Sequence, residues 1–538
     1  MMSVTFIGDS SYNTGKSGNM TTFLGVSPDG KGWLDDVNGQ LVLHLSGTGY
    51  EMGYQHGFLL KDEVKRSINA WVYDGKESTG NPPSSLMDFY KSVEPYIPQR
   101  FKDEMKGIAD GADVPLVDVQ AANVKPDFKY FSCRQIACWE NATADGNLYY
   151  ARSLGFPLDN RDHNSGVALQ DQSLVMVVKP DGYYPFVNFG WPSVVGSLTG
   201  MNSKGIALGI NDCKTNDINQ KGIPRPLKLR MVLEEASSLS EGLNILRDNN
   251  IVGWLMTLCD GNIPEAYGVE ITGSLFYAGP WDDPVEYYND PSWTMKYEPL
   301  EDTIMRFAHR PRNATIANTM FDDDGTPIGL KPNDERYQSH ADVLKENYGK
   351  IDLNILENMM KNNDLNDPVG EELHQVFLCP STLDIRVTNA VGSTSSKYLG
   401  SYHFNLWELL NETPLVSKPK NMPDVSIERP LGGSSILRIQ HKIIIRGRTD
   451  SDNKVDKVYV KVDDNDYVLA EGTESWSKTV DSSNWEPKSC HRIKALVVDE
   501  NGYGDIDIIG VWKFGVLDYL DYLVEQFLDR LGISLPNF

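Results

Sequence analysis

The stretch that most constrains this chain is Ser132–Phe156, S-C-R-Q-I-A-C-W-E-N-A-T-A-D-G-N-L-Y-Y-A-R-S-L-G-F. Two runs rich in apolar and aromatic residues, Cys133–Trp139 and Leu148–Leu154, flank the turn signal Ala144-Asp145-Gly146-Asn147. That pattern predicts two β-strands folded back on each other. Cys133 then stands at a strand end, where its sulfur can face a pocket, and Arg152 on the partner strand can approach it. A neighbouring guanidinium favours thiolate over thiol, and the thiolate is the nucleophile. The competing reading, a small buried hydrophobe, fits any lone cysteine in a strand; Cys138, in the same hairpin, is read that way.

The flanking sequence alternates strand and helix signals. Residues 1–35 are rich in Ser, Asn and Gly and read as an arm. Gln40–Leu45 reads as a strand that passes through Gly47–Gly57 into a helix, with His56 packing or capping. Apolar residues recur at helical spacing over Ser84–Val117. Ser173–Lys179, Tyr184–Phe189 and Gly200–Asp212 read as strands with glycine corners, Arg225–Arg247 as helix, and Met256–Asp260 with Glu265–Thr272 as a strand pair. Asp334–Tyr337 opens a helix with acids in its first turn, Ile351–Asn362 is another helix, and Thr388–Asn405 carries strand and turn signals. The class predicted is α+β.

The run Cys133, Trp139, Ala142-Thr143, Asp145-Gly146 and Arg152 resembles the start of the catalytic strand in cysteine-type N-terminal-nucleophile (Ntn) hydrolases. The branch most similar is the acyl-coenzyme A:6-aminopenicillanic acid acyltransferase group, with acid ceramidase and the bile-salt and penicillin V hydrolases as more distant relatives. The resemblance covers roughly residues 32–410. It implies an αββα sandwich, and a precursor that cuts itself before its cysteine, here between Ser132 and Cys133. The freed α-amino group, with an ordinary pKa of about 7.7–8.0, then serves as general base. It also implies roles for four further residues. Arg152 and Arg336 organise the site electrostatically. The backbone N–H of Asp212 and the side chain of Asn318, in a stretch Ala314–Met320 that resembles the family's strand ending in an asparagine, form the oxyanion hole. The substrate implied is a small-molecule, non-peptide N-acyl amide, cleaved or transferred without a metal or organic cofactor. One departure stands out: the family's aspartate, three residues after the arginine, is Gly155 here. A hairpin folded about Asp145-Gly146 would set residues near Leu158 opposite Cys133, which leaves two readings: Asp159 stands in, or nothing replaces the aspartate.

Downstream, 412–435 is rich in Pro, Ser and Gly and reads as a linker between a catalytic domain at 1–411 and a further module. Short alternating strands with turn signals over 436–514 predict an immunoglobulin-like β-sandwich. Asp450, Asp452 and Asp456 are read as a solvated turn rather than a calcium site. Residues 515–538 predict an amphipathic helix, with Leu517, Leu520, Leu523, Val524, Phe527, Leu528 and Leu531 on one face and acids opposite. It would dock on this chain or on a second copy, making a homo-oligomer.

Composition narrows the partners. A net charge of −25 over 538 residues argues against nucleic acid. Six cysteines without C-x-x-C pairs make neither a disulfide scaffold nor a zinc ribbon. No run of 18 apolar residues predicts a transmembrane helix, and Met1–Asp9 lacks a signal-peptide pattern; a β-sandwich module would suit an extracellular setting. No G-x-S-x-G elbow or H-E-x-x-H motif occurs, and Glu371-x-x-His374 is read as a structural pair on a helix. The alternative from another class is a catalytically impaired Ntn fold that serves as a binding or adhesion protein through its sandwich module, motivated by Gly155.

Overall fold

The computed structural model describes residues 20–129, 132–289, 298–321, 325–330, 335–362, 371–418, 420–437 and 441–514. The predicted C-terminal helix and the first nineteen residues of the arm lie outside these.

The hairpin forms as strands Ser132–Glu140 and Gly146–Gly155. Its turn is wider than a two-residue Asp-Gly turn. Glu140 pairs with Gly146 after a register shift, and both take positive φ, 40° and 81°. The extra loop residues move the register, so Cys133 faces Leu154, not Leu158. Side chains alternate along a strand. Cys133, Gln135, Ala137 and Trp139 therefore share a face with Leu148, Tyr150, Arg152 and Leu154.

This hairpin sits in a six-stranded antiparallel sheet. The order is Thr303–Phe307, Ser132–Glu140, Gly146–Gly155, Glu372–Cys379, Asp384–Asn389, Tyr402–Asn405. A second sheet has eleven strands, running from Thr21–Val26 at one edge to Phe276–Gly279 at the other. Its neighbours are antiparallel except Gln40–Gly47 with Leu174–Pro180. Ala137, Trp139, Tyr150, Val376 and Leu378 of one sheet share a buried cluster with Val42, Val175, Val187 and Met201 of the other, so the sheets stack face to face. Leu41, Leu43 and Leu45 on the opposite face of the larger sheet pack on helices that include Lys61–Val72 and Gln99–Ala112. Ile136, Cys138 and Phe307 on the outer face of the smaller sheet pack on Glu335–Glu346 and Leu353–Asn362. The result is helix, sheet, sheet, helix: a mixed α+β fold with a cysteine-bearing strand at its centre.

Local chemistry accounts for the helical layer. Thr48 and Glu51 form a capping box that starts Gly49–Leu59. That helix lies against Gln99–Ala112 so closely that a Cβ on Gly53 would come within 2.0 Å of Glu104 O, and one on Gly107 within 2.3 Å of Tyr50 O. The glycine spacing after residue 47 serves this backbone approach.

Three expectations are corrected. Ala314–Ala317 is a short helix, not a strand, because the Asn313 side chain accepts from the Thr315 and Ile316 N–H groups and caps it. Glu371-x-x-His374 is not helical: Glu372–Cys379 is a strand buried along its whole length. The stretch 412–435 contains a strand, Asp424–Arg429, with Val425 and Ile427 buried between exposed neighbours. It pairs with Lys442–Asp450.

Residues 424–514 form a three-stranded and a five-stranded sheet with one buried core between them, including Ile427, Ile445 and Trp476 from the first and Val460, Ala495 and Val511 from the second. This unit is seated on the larger sheet. Lys494 and Asp36 form a fully buried ion pair, Tyr467 donates to Asp36 Oδ2 at 3.1 Å, and Lys461 donates to Asn38 O at 2.8 Å.

Candidate active site

Cys133 is wholly buried as the second residue of its strand, facing the space between the two sheets. The Arg152 guanidinium reaches it from the partner strand: Nη2 lies 3.5 Å from Sγ and donates to Ile210 O at 2.7 Å. Nη1 lies 3.0 Å from His374 Nε2. The sheet register sets this up, since Arg152 pairs with Gln135 on one side and Val376 on the other. Gly209 of the facing sheet leaves room for it; a Cβ there would fall 2.4 Å from Arg152 Cδ.

His374 is the neighbour that sequence reasoning set aside. Its ring stacks on Trp191, centroids 5.8 Å apart, and Nε2 also lies 3.1 Å from Thr199 Oγ1. Burial and the Arg152 charge hold its pKa well below the ordinary value. The imidazole is therefore neutral, and its Nε2 lone pair can accept from Arg152. A strand assignment for 372–379 would have found it, because alternation puts His374, Val376 and Leu378 on the inter-sheet face.

Asp212 forms, with Asn211, a two-residue strand against Trp254–Asp260. Its carboxylate is held by Arg225, which also donates to Asp127 Oδ1 at 2.8 Å. Asn211 is tied to the Cys133 strand, accepting from Gln135 Nε2 at 2.8 Å and donating to Arg306 O at 2.7 Å. The chain after Thr303–Phe307 then runs past both groups: Ala308 N–H donates to Cys133 O at 2.9 Å, and His309 N–H to Asp212 O at 3.2 Å. So Cys133, Arg152 and Asp212 come together, with His309 between two of them in a left-handed conformation, φ 60°.

Asn318 and Arg336 are placed differently. Asn318 ends the short helix Ala314–Ala317 with an exposed side chain, and no hydrogen bond of that side chain joins it to the Cys133 cluster among the described residues. Its neighbours Thr319 and Met320 pack on Thr215 and Cys213, just beyond Asp212. Arg336 lies in the first turn of Glu335–Glu346, whose Tyr337 and His340 rings meet Phe307 on the outer face of the smaller sheet. The Arg336 side chain lies outside the described atoms.

Asp159 does not stand in at Gly155. It is exposed and accepts from Asn160 Nδ2 at 3.3 Å. The register explains this, since the strand ends at Gly155 before Asp159 is reached. Gly155 itself is sterically required: a Cβ there would sit 2.3 Å from Ser132 O. Across the sheet Gly155 pairs with Glu372, whose carboxylate binds Arg134 and Ser153. Burial pushes the Cys133 thiol up to about 12; Arg152 opposes this, and Asp212 and Glu372 add to it. In the intact chain Cys133 is a thiol.

Beside His374 lies a small cavity of about 20 Å³, lined by apolar residues that include Trp71, Phe156, Trp191, Leu198 and Leu373.

Residues 158–271 match the sequence model of the family described as acyl-coenzyme A:6-aminopenicillanic acid acyl-transferase. Over that span the chain is similar to these acyltransferases. The matched span contains Asp212 and begins after the hairpin. The acyl-coenzyme A:6-aminopenicillanic-acid-acyltransferase 40 kDa form of Emericella nidulans is 24% identical over 239 residues, 43% of this chain and 64% of that protein. An uncharacterized protein of Archaeoglobus fulgidus is 26% identical over 381 residues, 63% of this chain and 60% of that protein. The chain thus spans under two thirds of the length of these relatives. Among solved structures, a Caenorhabditis elegans N-acylethanolamine-hydrolyzing acid amidase ortholog aligns with 46% of this chain and 93% of its own, at 12% identity and a TM-score of 0.32. No helix among the described residues is long and apolar enough to cross a membrane.

Proposed function

We propose that this chain is a cysteine-nucleophile amidohydrolase or acyltransferase of the Ntn type, acting on a non-peptide N-acyl amide after cleaving itself before Cys133. The observation that carries the reading is Arg152 Nη2 at 3.5 Å from a cysteine sulfur at a strand end. In the first reaction the Cys133 thiol attacks the Ser132 carbonyl carbon. The peptide C–N bond breaks, the amine takes the proton, and water releases Ser132 as a carboxylate. The free amine of Cys133 then accepts the thiol proton. In the processed chain the sulfur need not ionise in advance, because that amine, on Cys133 itself, takes its proton as it attacks.

In turnover, sulfur attacks the substrate carbonyl, the leaving amine departs protonated, and the thioester passes to water or an acceptor amine. The Asp212 N–H, on a backbone anchored by Arg225, is the proposed oxyanion donor, with the Asn318 side chain as the second and Arg336 as the second arginine. Glu372, opposite Gly155, is the proposed carboxylate partner of the freed amine in place of the family's aspartate. The unit at 424–514 is proposed to be an immunoglobulin-like sandwich.

Mass analysis of the purified protein tests processing. Wild type is expected as two fragments split at 132/133, and Cys133→Ala as one chain. Cleavage of the Cys133→Ala chain at that bond would exclude self-catalysis. A screen of N-acyl amides on both proteins then tests turnover, which the variant should lack.

A further inference from the structure

We propose that Asp35, His44 and Glu412 form a binding site for one divalent transition-metal ion, sharing no residue with the Cys133 cluster. Asp35 lies on the strand Trp33–Val37 and His44 on the adjacent Gln40–Gly47, where Trp33 pairs with His44 and Asp35 with Val42. That register puts Asp35 and His44 diagonally on one face. Glu412 follows directly on the helix Leu406–Asn411. One donor atom from each of the three lies within 4.8 Å of the other two.

The buried histidine points to a ligand. His44 is 1% exposed, and neither ring nitrogen makes a hydrogen bond among the described residues. Its Nε2 faces Glu412 Oε2 at 3.4 Å. The ring lies flat on Trp33, centroids 4.0 Å apart and planes 8° from parallel, so its direction is set. Trp33 Nε1 also donates to Asp35 Oδ2 at 3.0 Å, orienting that carboxylate. The 3.4 Å ion pair leaves both buried ring nitrogens short of a hydrogen bond, which is costly, and a metal ion seated between His44 and Glu412 would use the Nε2 lone pair.

An imidazole with two carboxylates is a donor set for zinc and its neighbours, and three protein ligands leave a position open. The open side meets a cavity of about 810 Å³ bordered by Asp35, Glu408 and Glu412, with no lysine or arginine among the described residues of its lining. Bonds of about 2.0–2.2 Å need donors roughly 3.4 Å apart, the separation His44 and Glu412 already have. Glu412, whose side chain is 49% exposed, is the ligand free to close in. The ammonium of Lys179, which donates to Leu410 O at 2.7 Å, is the counter-charge the ion would compete with.

The test is titration of the chelator-treated full chain with Co2+, read by visible absorption, and displacement by Zn2+. One equivalent should bind with the spectrum of a low-coordinate ion. Glu412→Gln and Asp35→Asn should each weaken binding at least about tenfold, and His44→Ala should abolish it. Should His44→Ala fail to fold, Glu412→Gln decides, since saturating Zn2+ should raise Tm in wild type and not in that variant. No Co2+ binding by wild type at millimolar concentration, or wild-type affinity in Glu412→Gln, would overturn the site and leave a plain imidazole–carboxylate pair.

Discussion

Arg152 shows how much one side chain carries here. Its fork serves the Cys133 sulfur, the His374 ring and the Ile210 carbonyl at once. Lysine keeps the charge and loses the fork. Arg152→Lys should therefore fold and bind substrate while kcat falls on the order of a hundredfold. Arg152→Met should also lose about 1–3 kcal/mol of stability, because buried acceptors are left unpaired. Equal kcat in wild type and Arg152→Lys would remove the guanidinium from the mechanism. Asn318 is the sharper case. If it supplies an oxyanion donor, Asn318→Ala lowers kcat on the order of 10²- to 10³-fold with KM and Tm little changed. Its exposed position on a helix end makes full activity in that variant a clear refutation, and Asn211, already buried beside the Cys133 strand, would be the next residue to substitute.

At the scale of elements, the strand Asp424–Arg429 is held by two carboxylates. Asp505 Oδ2 accepts from Val425 N–H at 2.9 Å, and Asp507 Oδ2 from Ile427 N–H at 2.7 Å. Burial raises the Asp505 pKa to about 7, above the ordinary carboxylate value of 3.8. The folded state therefore holds this proton more tightly than the unfolded chain. The stability it contributes is complete below the unfolded pKa and is lost as pH rises through about 7. Asp505→Asn keeps an acceptor oxygen and removes the titration. Relative to wild type its Tm should improve between pH 4 and pH 8, and a difference independent of pH would contradict the assignment. The hairpin teaches a related lesson. Its two strands were legible from apolar runs around Asp145-Gly146, but its register was not: a loop of a few extra residues moved the partner of Cys133 from Leu158 to Leu154 and removed Asp159 from consideration.

At the scale of the molecule, the unit at 424–514 is bonded into the larger sheet rather than tethered to it. Lys494 and Asp36 are 1% and 0% exposed. Breaking such a pair from one side costs about 3–5 kcal/mol, whereas replacing both partners costs far less. Lys494→Met should lower Tm more than the double variant Lys494→Met/Asp36→Asn, and a chain ending at Leu415 should be markedly less stable than the whole. An equal Tm for the truncated chain would mean the interface is not energetic. The sequence alone determined the hairpin, the α+β class and a cysteine with an arginine on the paired strand, because periodicity and turn residues act over a few neighbouring positions. Tertiary structure decided the rest. His374 and Glu372 reach the Cys133 strand from more than two hundred residues away, through strand register. His44, read in the sequence only as part of a strand, gains Trp33, Asp35 and Glu412 through sheet pairing and a segment that returns after the helix Leu406–Asn411. Contacts of that range leave no periodic trace in the sequence, since each rests on the summed geometry of every element between the partners.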